Sequence, residues 1–189
     1  MLKLMLMRLQ SVLGYDNLAP AMVLVPDSKT SSKASSEKRK NRDNTLHLVV
    51  GYSGSSRSQG ALDLALWIAH QTRIASANPV VVHVVYVVDQ ARPETIENAD
   101  HILWQARCLA SEWRGALNAH LRIGDLATEL SRVAEDLGAE VILLGCSQTQ
   151  HPLIQGLVDQ VPCPVLGLPS PGSFGSDTSS ELTEIALAQ

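Results

Sequence analysis

The chain has 189 residues, of which 45% are apolar and 18% are charged, a balance that predicts one folded domain with appendages and argues against global disorder. The formal net charge of −4 gives no general support for nucleic-acid binding. No apolar run approaches the roughly 18 residues that span a bilayer, so we predict no transmembrane segment and no secretory leader.

Composition divides the chain into four parts. Residues 1–26 are rich in Met and Leu, and we interpret them as an amphipathic segment. Residues 27–45 are rich in Ser and Lys, so they bury too little surface to offset ordering entropy and are predicted to be a flexible linker. Residues 46–169 form the predicted domain, and residues 170–189 form a predicted mobile tail.

Apolar residues follow one helical face near the N-terminus, from Leu2 through Leu6 and Leu9 to Leu13. Such a stripe suits docking on the chain's own domain, on a second subunit or in a partner groove. We therefore predict that Leu2–Leu13 contacts a protein partner.

The periodicity of residues 46–169 alternates between strand and helix. In chain order, the predicted strands are Leu46–Tyr52, Val80–Val88, Ala119–Ile123, Glu140–Leu144 and Val165–Leu168. The predicted helices between them are Ser58–Thr72, residues 95–119, a helix opened by Asp125 or Thr128 that runs through Leu137 to a left-handed cap at Gly138, and Pro152–Val161.

This alternation requires right-handed crossovers and predicts an α/β fold with a five-stranded parallel sheet and helices on both faces. Sheets of this kind bind ligands beyond the carboxyl ends of their strands, near the topological switch point. The loops after Tyr52, Val88 and Gly145 are therefore the predicted site.

Four stretches of the predicted domain resemble the universal stress protein family, in register and in order. They are Leu48–Leu62 (LVVGYSGSSRSQGAL), the pair His83-Val84, Arg122–Gly145 (RIGDLATELSRVAEDLGAEVILLG) and Pro162–Leu166 (PCPVL). The resemblance implies a flavodoxin-like (Rossmann-like) sheet of order 3-2-1-4-5. It also implies a homodimer formed through the last strand, here Val165–Leu168.

Members of that family that bind ATP carry an Asp at the end of the first strand and a G-x2-G-x9-G loop after the fourth. Glycines suit such a loop because they permit the positive φ angles and close backbone approach of an anion-binding nest. On the resemblance, Ser53 stands in place of the Asp, Gly145 matches the first glycine and Gln148 replaces the second. The loop Cys146–His151 is shorter than the family's, and no lysine follows Leu46 that a P-loop would need.

We therefore predict a regulatory or adaptor module that lacks the family's usual mode of ATP binding, with no cofactor assigned. The first alternative is a stress sensor that binds ATP or AMP. For any ligand, the candidate cleft residues share the strand-end loops: Tyr52, Ser53, Gly54, Ser55, Val88, Gly145, Ser147 and Gln148.

A second alternative is an enzyme that uses Cys146 as a nucleophile with His151 nearby, although spacing alone supports it weakly. Cys108, Cys146 and Cys163 show neither CxxC nor zinc spacing, which is typical of reduced thiols in a cytoplasmic protein. His47 and His83 lie in predicted strands and are interpreted as structural residues, so no metal site is predicted.

Overall fold

The computed structural model describes residues 21–26, 44–76, 78–113 and 115–169. The predictions for Leu2–Leu13, for most of the linker and for the tail from residue 170 lie outside these residues. Within the described ranges, no helix is both long and apolar enough to cross a membrane.

The described residues form one sheet with helices on both faces. The strands are β1 (Val23–Val25), β2 (Leu46–Gly51), β3 (Val80–Val88), β4 (Ala116–Ile123), β5 (Val141–Leu143) and β6 (Val165–Leu166). The helices are α1 (Ser56–Ser76), α2 (Pro93–Leu109), α3 (Leu126–Leu137) and α4 (Pro152–Leu157).

The strand order is β1-β6-β5-β2-β3-β4, and the five strands from β2 to β6 are mutually parallel. Counted within the predicted domain alone, these five strands have the order 3-2-1-4-5. The predicted α/β fold is therefore confirmed, with one added strand. β2 lies at the centre, so its carboxyl end meets those of β3 and β5 at the switch point.

The added strand is β1, which the sequence analysis left within the N-terminal segment. β1 pairs antiparallel with β6, with Val23 opposite Leu166, and Met22, Leu24 and Val25 are buried. The sheet thus includes β1 in addition to the five strands of the predicted domain. The outer edge of Val165–Leu168, expected to be open to a second copy, is occupied by β1 of the same chain.

A second difference concerns residues 95–119, which were predicted as one long helix. Helix α2 ends at Leu109, and β4 begins at Ala116. Trp113 and Leu117 continue the apolar spacing of the helix, which misled the prediction. The stretch from Ala116 to Ile123 instead pairs in register with β3, and this tertiary pairing overrides the local pattern.

Two apolar clusters cover the two faces of the sheet. α1 and α2 bury Leu62 and Leu103 against one face, whereas α3 and α4 bury Leu130 and Ile154 against the other. Helix α3 begins and ends as its sequence predicts, because the Asp125 carboxylate accepts a hydrogen bond from the Thr128 amide and Gly138 adopts φ 62°. The start of α3 therefore stands at the switch-point end of the sheet.

Candidate functional site

A cavity of about 260 Å³ lies beyond the carboxyl ends of β2 and β5, and because it is at the switch point we call it the main cavity. Its apolar wall comes from the start of α3, the end of β5 and the start of α4, through Leu126, Leu130, Leu144 and Leu153. This volume is slightly below the range of about 300–1,000 Å³ that is usual for small-molecule pockets. The main cavity therefore suits a ligand smaller than a whole nucleoside triphosphate.

Three serines at and just before the start of α1 form the polar wall of the main cavity. The Ser53 hydroxyl lies 3.0 Å from that of Ser55 and 3.3 Å from that of Ser58. The buried Ser58 hydroxyl in turn donates to the Ser55 carbonyl at 2.8 Å. The serines therefore bond mainly to one another, and Ser53 offers a hydroxyl where a carboxylate would grip a ribose.

Arg57 is the one arginine that lines the main cavity among the described residues. Its Nε donates to the Gly145 carbonyl, which links the first turn of α1 to the loop after β5. The remaining guanidinium donors are available to an anion at the cavity mouth, because Arg57 is exposed and an arginine has five N–H groups.

Three hydrogen bonds hold the second half of the loop between β5 and α4. The His151 amide donates to the Gln148 carbonyl, and the Gln155 side chain donates to the Thr149 carbonyl at 2.7 Å. Pro152 supplies no N–H at the start of α4, while the Leu153 amide donates to His151 Nδ1. The described glycines with positive φ are Gly54, Gly124 and Gly138, and none of them belongs to this loop. An anion-binding nest of the glycine type is therefore missing from residues 145–151.

The predicted site residues divide between this cavity and its surroundings. Tyr52, Ser53, Ser55 and Gly145 line the main cavity. Gly54 has φ 78° and faces α2, whereas Ser147 and Gln148 lie on the loop outside the lining residues. Further lining residues come from the first turns of helices, and only the packing of α1, α3 and α4 around the strand ends reveals them: Arg57, Ser58, Leu126, Leu130, Leu153.

Val88 lies in a second cavity of about 400 Å³ between the end of β3 and the start of α2. Asp89, Arg92 and Asn98 also line this space. The Arg92 side chain donates to the Gln90 amide oxygen at 2.7 Å. The predicted cleft residues are therefore divided between two separate cavities, and Gly54, Ser147 and Gln148 line neither of them.

Cys146 and His151 both line the main cavity, but their surroundings do not activate a thiol. Burial raises the pKa of Cys146, and the positive charge of Arg57 only partly opposes this effect. The His151 ring already caps α4 through Nδ1. A raised pKa lowers the thiolate fraction, so the geometry gives little support to a nucleophilic cysteine.

Three histidines form a ladder across the α3 face of the sheet. His47 Nδ1 lies 2.9 Å from His83 Nε2, and His83 Nδ1 lies 2.9 Å from His120 Nε2. Burial, together with the smaller effect of the neighbouring His120 and His47 rings, lowers the pKa of His83 to about 4. His83 is therefore neutral at physiological pH, and no three His, Cys, Asp or Glu side chains among the described residues are arranged so that they could hold a metal ion together.

Comparisons with known proteins agree with this architecture. A family model described as the universal stress protein family matches residues 45–169, whereas a search of curated proteins found no match. Among solved structures, the hypothetical protein MJ0577 superposes with a TM-score of 0.55 at 13% identity, over 66% of this chain and 95% of that one.

Two further structures carry nucleotides. The universal stress protein from Archaeoglobus fulgidus in complex with dAMP has a TM-score of 0.53 at 19% identity, over 65% of this chain and 96% of that one. The family protein from Arabidopsis thaliana with AMP bound has a TM-score of 0.51 at 15% identity, over 70% and 97%. At these identities the likeness shows the fold alone. The match to the family model is the broader finding, and by it this chain belongs to the universal stress protein family.

Proposed function

We propose that this chain is a regulatory or adaptor module of the universal stress type that does not hold ATP through the family's phosphate loop. The observation that carries the proposal is the loop at residues 145–151, which contains none of the positive-φ glycines among the described residues. A triphosphate would need a glycine-built anion nest there, and on the family resemblance Gln148 replaces the second glycine of that nest. We assign no reaction to the module.

Calorimetric titration of the full chain with ATP and magnesium tests this proposal. We expect no saturable heat at millimolar ATP, because the described part of the chain offers neither a glycine nest nor a lysine to the β- and γ-phosphates. Saturable binding with a dissociation constant below about 0.1 mM, equivalent to more than about 5 kcal/mol, would contradict it.

The second candidate is a sensor of adenine nucleotides with one phosphate or none. It is favoured by the apolar wall of the main cavity, by the free donors of Arg57 at its mouth, and by the relatives solved with AMP and dAMP. A nucleoside monophosphate would place its base against Leu130 and Leu144 and its single phosphate at Arg57. Such a ligand would not need to bind the loop at residues 145–151.

Replacement of Arg57 separates this candidate from the first. If AMP binds, Arg57→Gln is expected to weaken it about tenfold or more, because a charge-assisted hydrogen bond contributes about 1.5–3 kcal/mol. Adenosine, which has no phosphate, is expected to bind both proteins equally. The control is Arg107→Gln on the exposed end of α2. A thermal-shift titration that shows no change with AMP or adenosine would reject the sensor and leave the adaptor.

Two further parts of the proposal concern assembly and location. We propose that the chain forms a homodimer, as the family resemblance implies, and that it works in the cytoplasm. The location is supported by the spacing of Cys108, Cys146 and Cys163, which shows neither a CxxC nor a zinc pattern and is typical of reduced thiols. Because β1 pairs with the outer edge of β6, that edge is not open to a second copy in this structure.

A further inference from the structure

The N-terminal segment joins the fold beside the main cavity. β1 begins opposite the end of β6, because the two strands are antiparallel. The Gly167 amide, just beyond β6, donates to the Met22 carbonyl at 2.8 Å. The next amide, that of Leu168, donates at 2.8 Å to the carbonyl of Cys146, which lines the main cavity. Residue 21 therefore lies near this cavity, at the carboxyl ends of the parallel strands.

The rim of the main cavity presents apolar side chains to solvent. Leu126, at the start of α3, lines the cavity and is 42% exposed. Ile123 precedes it at the end of β4 and is 50% exposed. Leu153, at the start of α4, also lines the cavity and is half-buried. Exposed apolar side chains grouped at the rim of a cavity are typical of a docking surface.

The same chain carries a segment whose character matches this rim. The apolar stripe from Leu2 to Leu13 is accompanied by Lys3 and Arg8 and by no carboxylate. Residues 46–169 carry 12 Asp and Glu side chains against seven arginines and no lysine, so the two parts have net charges of opposite sign. The segment therefore offers both apolar side chains and a complementary charge.

The length of the intervening chain selects this surface. Residues 14–20 connect the stripe to the described chain and span at most about 24 Å when extended. Neighbouring strands are about 4.8 Å apart, so the gap between β5 and β2 lies about 12 Å from β1 across the sheet. The exposed Trp104 belongs to α2, which packs over β3 and β4 towards the far edge, at the limit of this reach. The main cavity is thus the apolar surface that the stripe reaches with chain to spare.

We propose that the segment Leu2–Leu13 docks across the mouth of the main cavity of its own chain, with leucine side chains against Leu126 and Leu153. An apolar cavity of about 150 Å³ holds a benzene ring, so a cavity of about 260 Å³ has room for a leucine side chain. The docked segment and a small ligand compete for the same apolar wall. The docking concerns the chain's own residues, and its test uses no nucleotide.

Alkylation of Cys146 in the full chain tests the proposal, because this half-buried residue lines the cavity that the segment covers. Leu6→Asp combined with Leu9→Asp places two charges in the apolar stripe. We expect Cys146 of this variant to react about tenfold faster or more at the same pH, since two leucines no longer contribute apolar burial to docking. The exposed Cys108 provides the reference rate within each protein and is expected to react equally in both. Peptide mapping by mass spectrometry follows each thiol separately.

Ser11→Asp is the matched control, because residue 11 falls opposite the stripe on a helical repeat. We expect it to leave the Cys146 rate unchanged. A doubly charged variant whose Cys146 reacts no faster than that of the unaltered chain would overturn the proposal. Protection of Cys146 that weakens on dilution of the unaltered chain would also overturn it, since the segment would then cover the cavity of a second copy.

The buried Cys163 distinguishes an uncovered cavity from a lost fold. We expect it to stay unreactive in the unaltered chain, in the doubly charged variant and in the control. Reaction of Cys163 together with Cys146 in the variant would show that the segment holds the core together. The segment would then be no separate cover, and the proposal would be wrong.

Discussion

Gly167→Ala is expected to lower the free energy of unfolding by about 3 kcal/mol, at the upper end of the usual range for overpacking. A methyl group at this position would overlap the Cys146 carbonyl oxygen and lie 2.5 Å from Leu24 Cδ1. The carbonyl belongs to the backbone and already accepts a hydrogen bond from the Leu168 amide, so it cannot easily move aside. Urea unfolding measures the effect.

Gly156→Ala is the matched control for this substitution. A methyl group there would approach Ala127 Cβ at 3.1 Å, and alanine is favoured over glycine inside a helix by about 1 kcal/mol. We expect the control to change stability by less than about 1 kcal/mol. A Gly167→Ala protein as stable as the control would mean that β6 does not pack against the loop after β5 as described.

Acidification is expected to destabilise the fold through the histidine ladder, with a loss of up to about 3 kcal/mol. His83 takes up a proton near pH 6.5 in the unfolded chain but only near pH 4 in the folded protein. Between these values the unfolded state binds more protons, so stability falls as the pH falls from about 6.5 to about 4. Above pH 6.5 this contribution to stability is fully present.

His83→Gln isolates the contribution of the central ring. Glutamine keeps hydrogen-bonding groups between His47 and His120 but does not titrate, so the loss between pH 6.5 and pH 4 is expected to be smaller than in the unaltered protein. His70→Gln, on the exposed side of α1, serves as the control. Urea unfolding at both pH values gives the comparison. Parallel pH profiles for the unaltered protein and His83→Gln would contradict the description of a buried, neutral ladder.

Much of the fold follows from the sequence because its signals are local. Val80–Val88 is a continuous run of mostly β-branched residues, and the structure confirms it as the strand next to the centre. Asp125 and Gly138 mark the ends of α3 by side-chain capping and a left-handed backbone, which are properties of single residues. Signals of this kind need no knowledge of tertiary contacts.

The parts that escaped prediction depend on contacts between distant residues. β1 is too short to show a period, and it is a strand only because β6 offers it an edge. Residues 116–119 lie in β4 because β3 pairs with them, although their spacing continues that of a helix. The histidine ladder likewise arises from the relative register of β2, β3 and β4, which a single sequence does not display.

The candidate site was located more reliably than its lining was identified. The rule that ligands bind beyond the carboxyl ends of parallel strands led to Tyr52, Ser53 and Gly145. The same rule also selected Val88, which faces a separate cavity. It could not find Arg57 or Leu126, because these residues reach the main cavity from the first turns of helices.

The phosphorus-31 NMR spectrum of ATP in the presence of magnesium, recorded with and without an equal concentration of the full chain, tests the central proposal most directly. Each phosphate of ATP has its own resonance, so the spectrum reports whether the protein holds the β- and γ-phosphates. We expect both resonances to keep their position and width at millimolar concentration, because residues 145–151 form no anion nest. Selective broadening or displacement of the β- and γ-resonances would show that the shortened loop grips the triphosphate, and the proposed function would then be wrong.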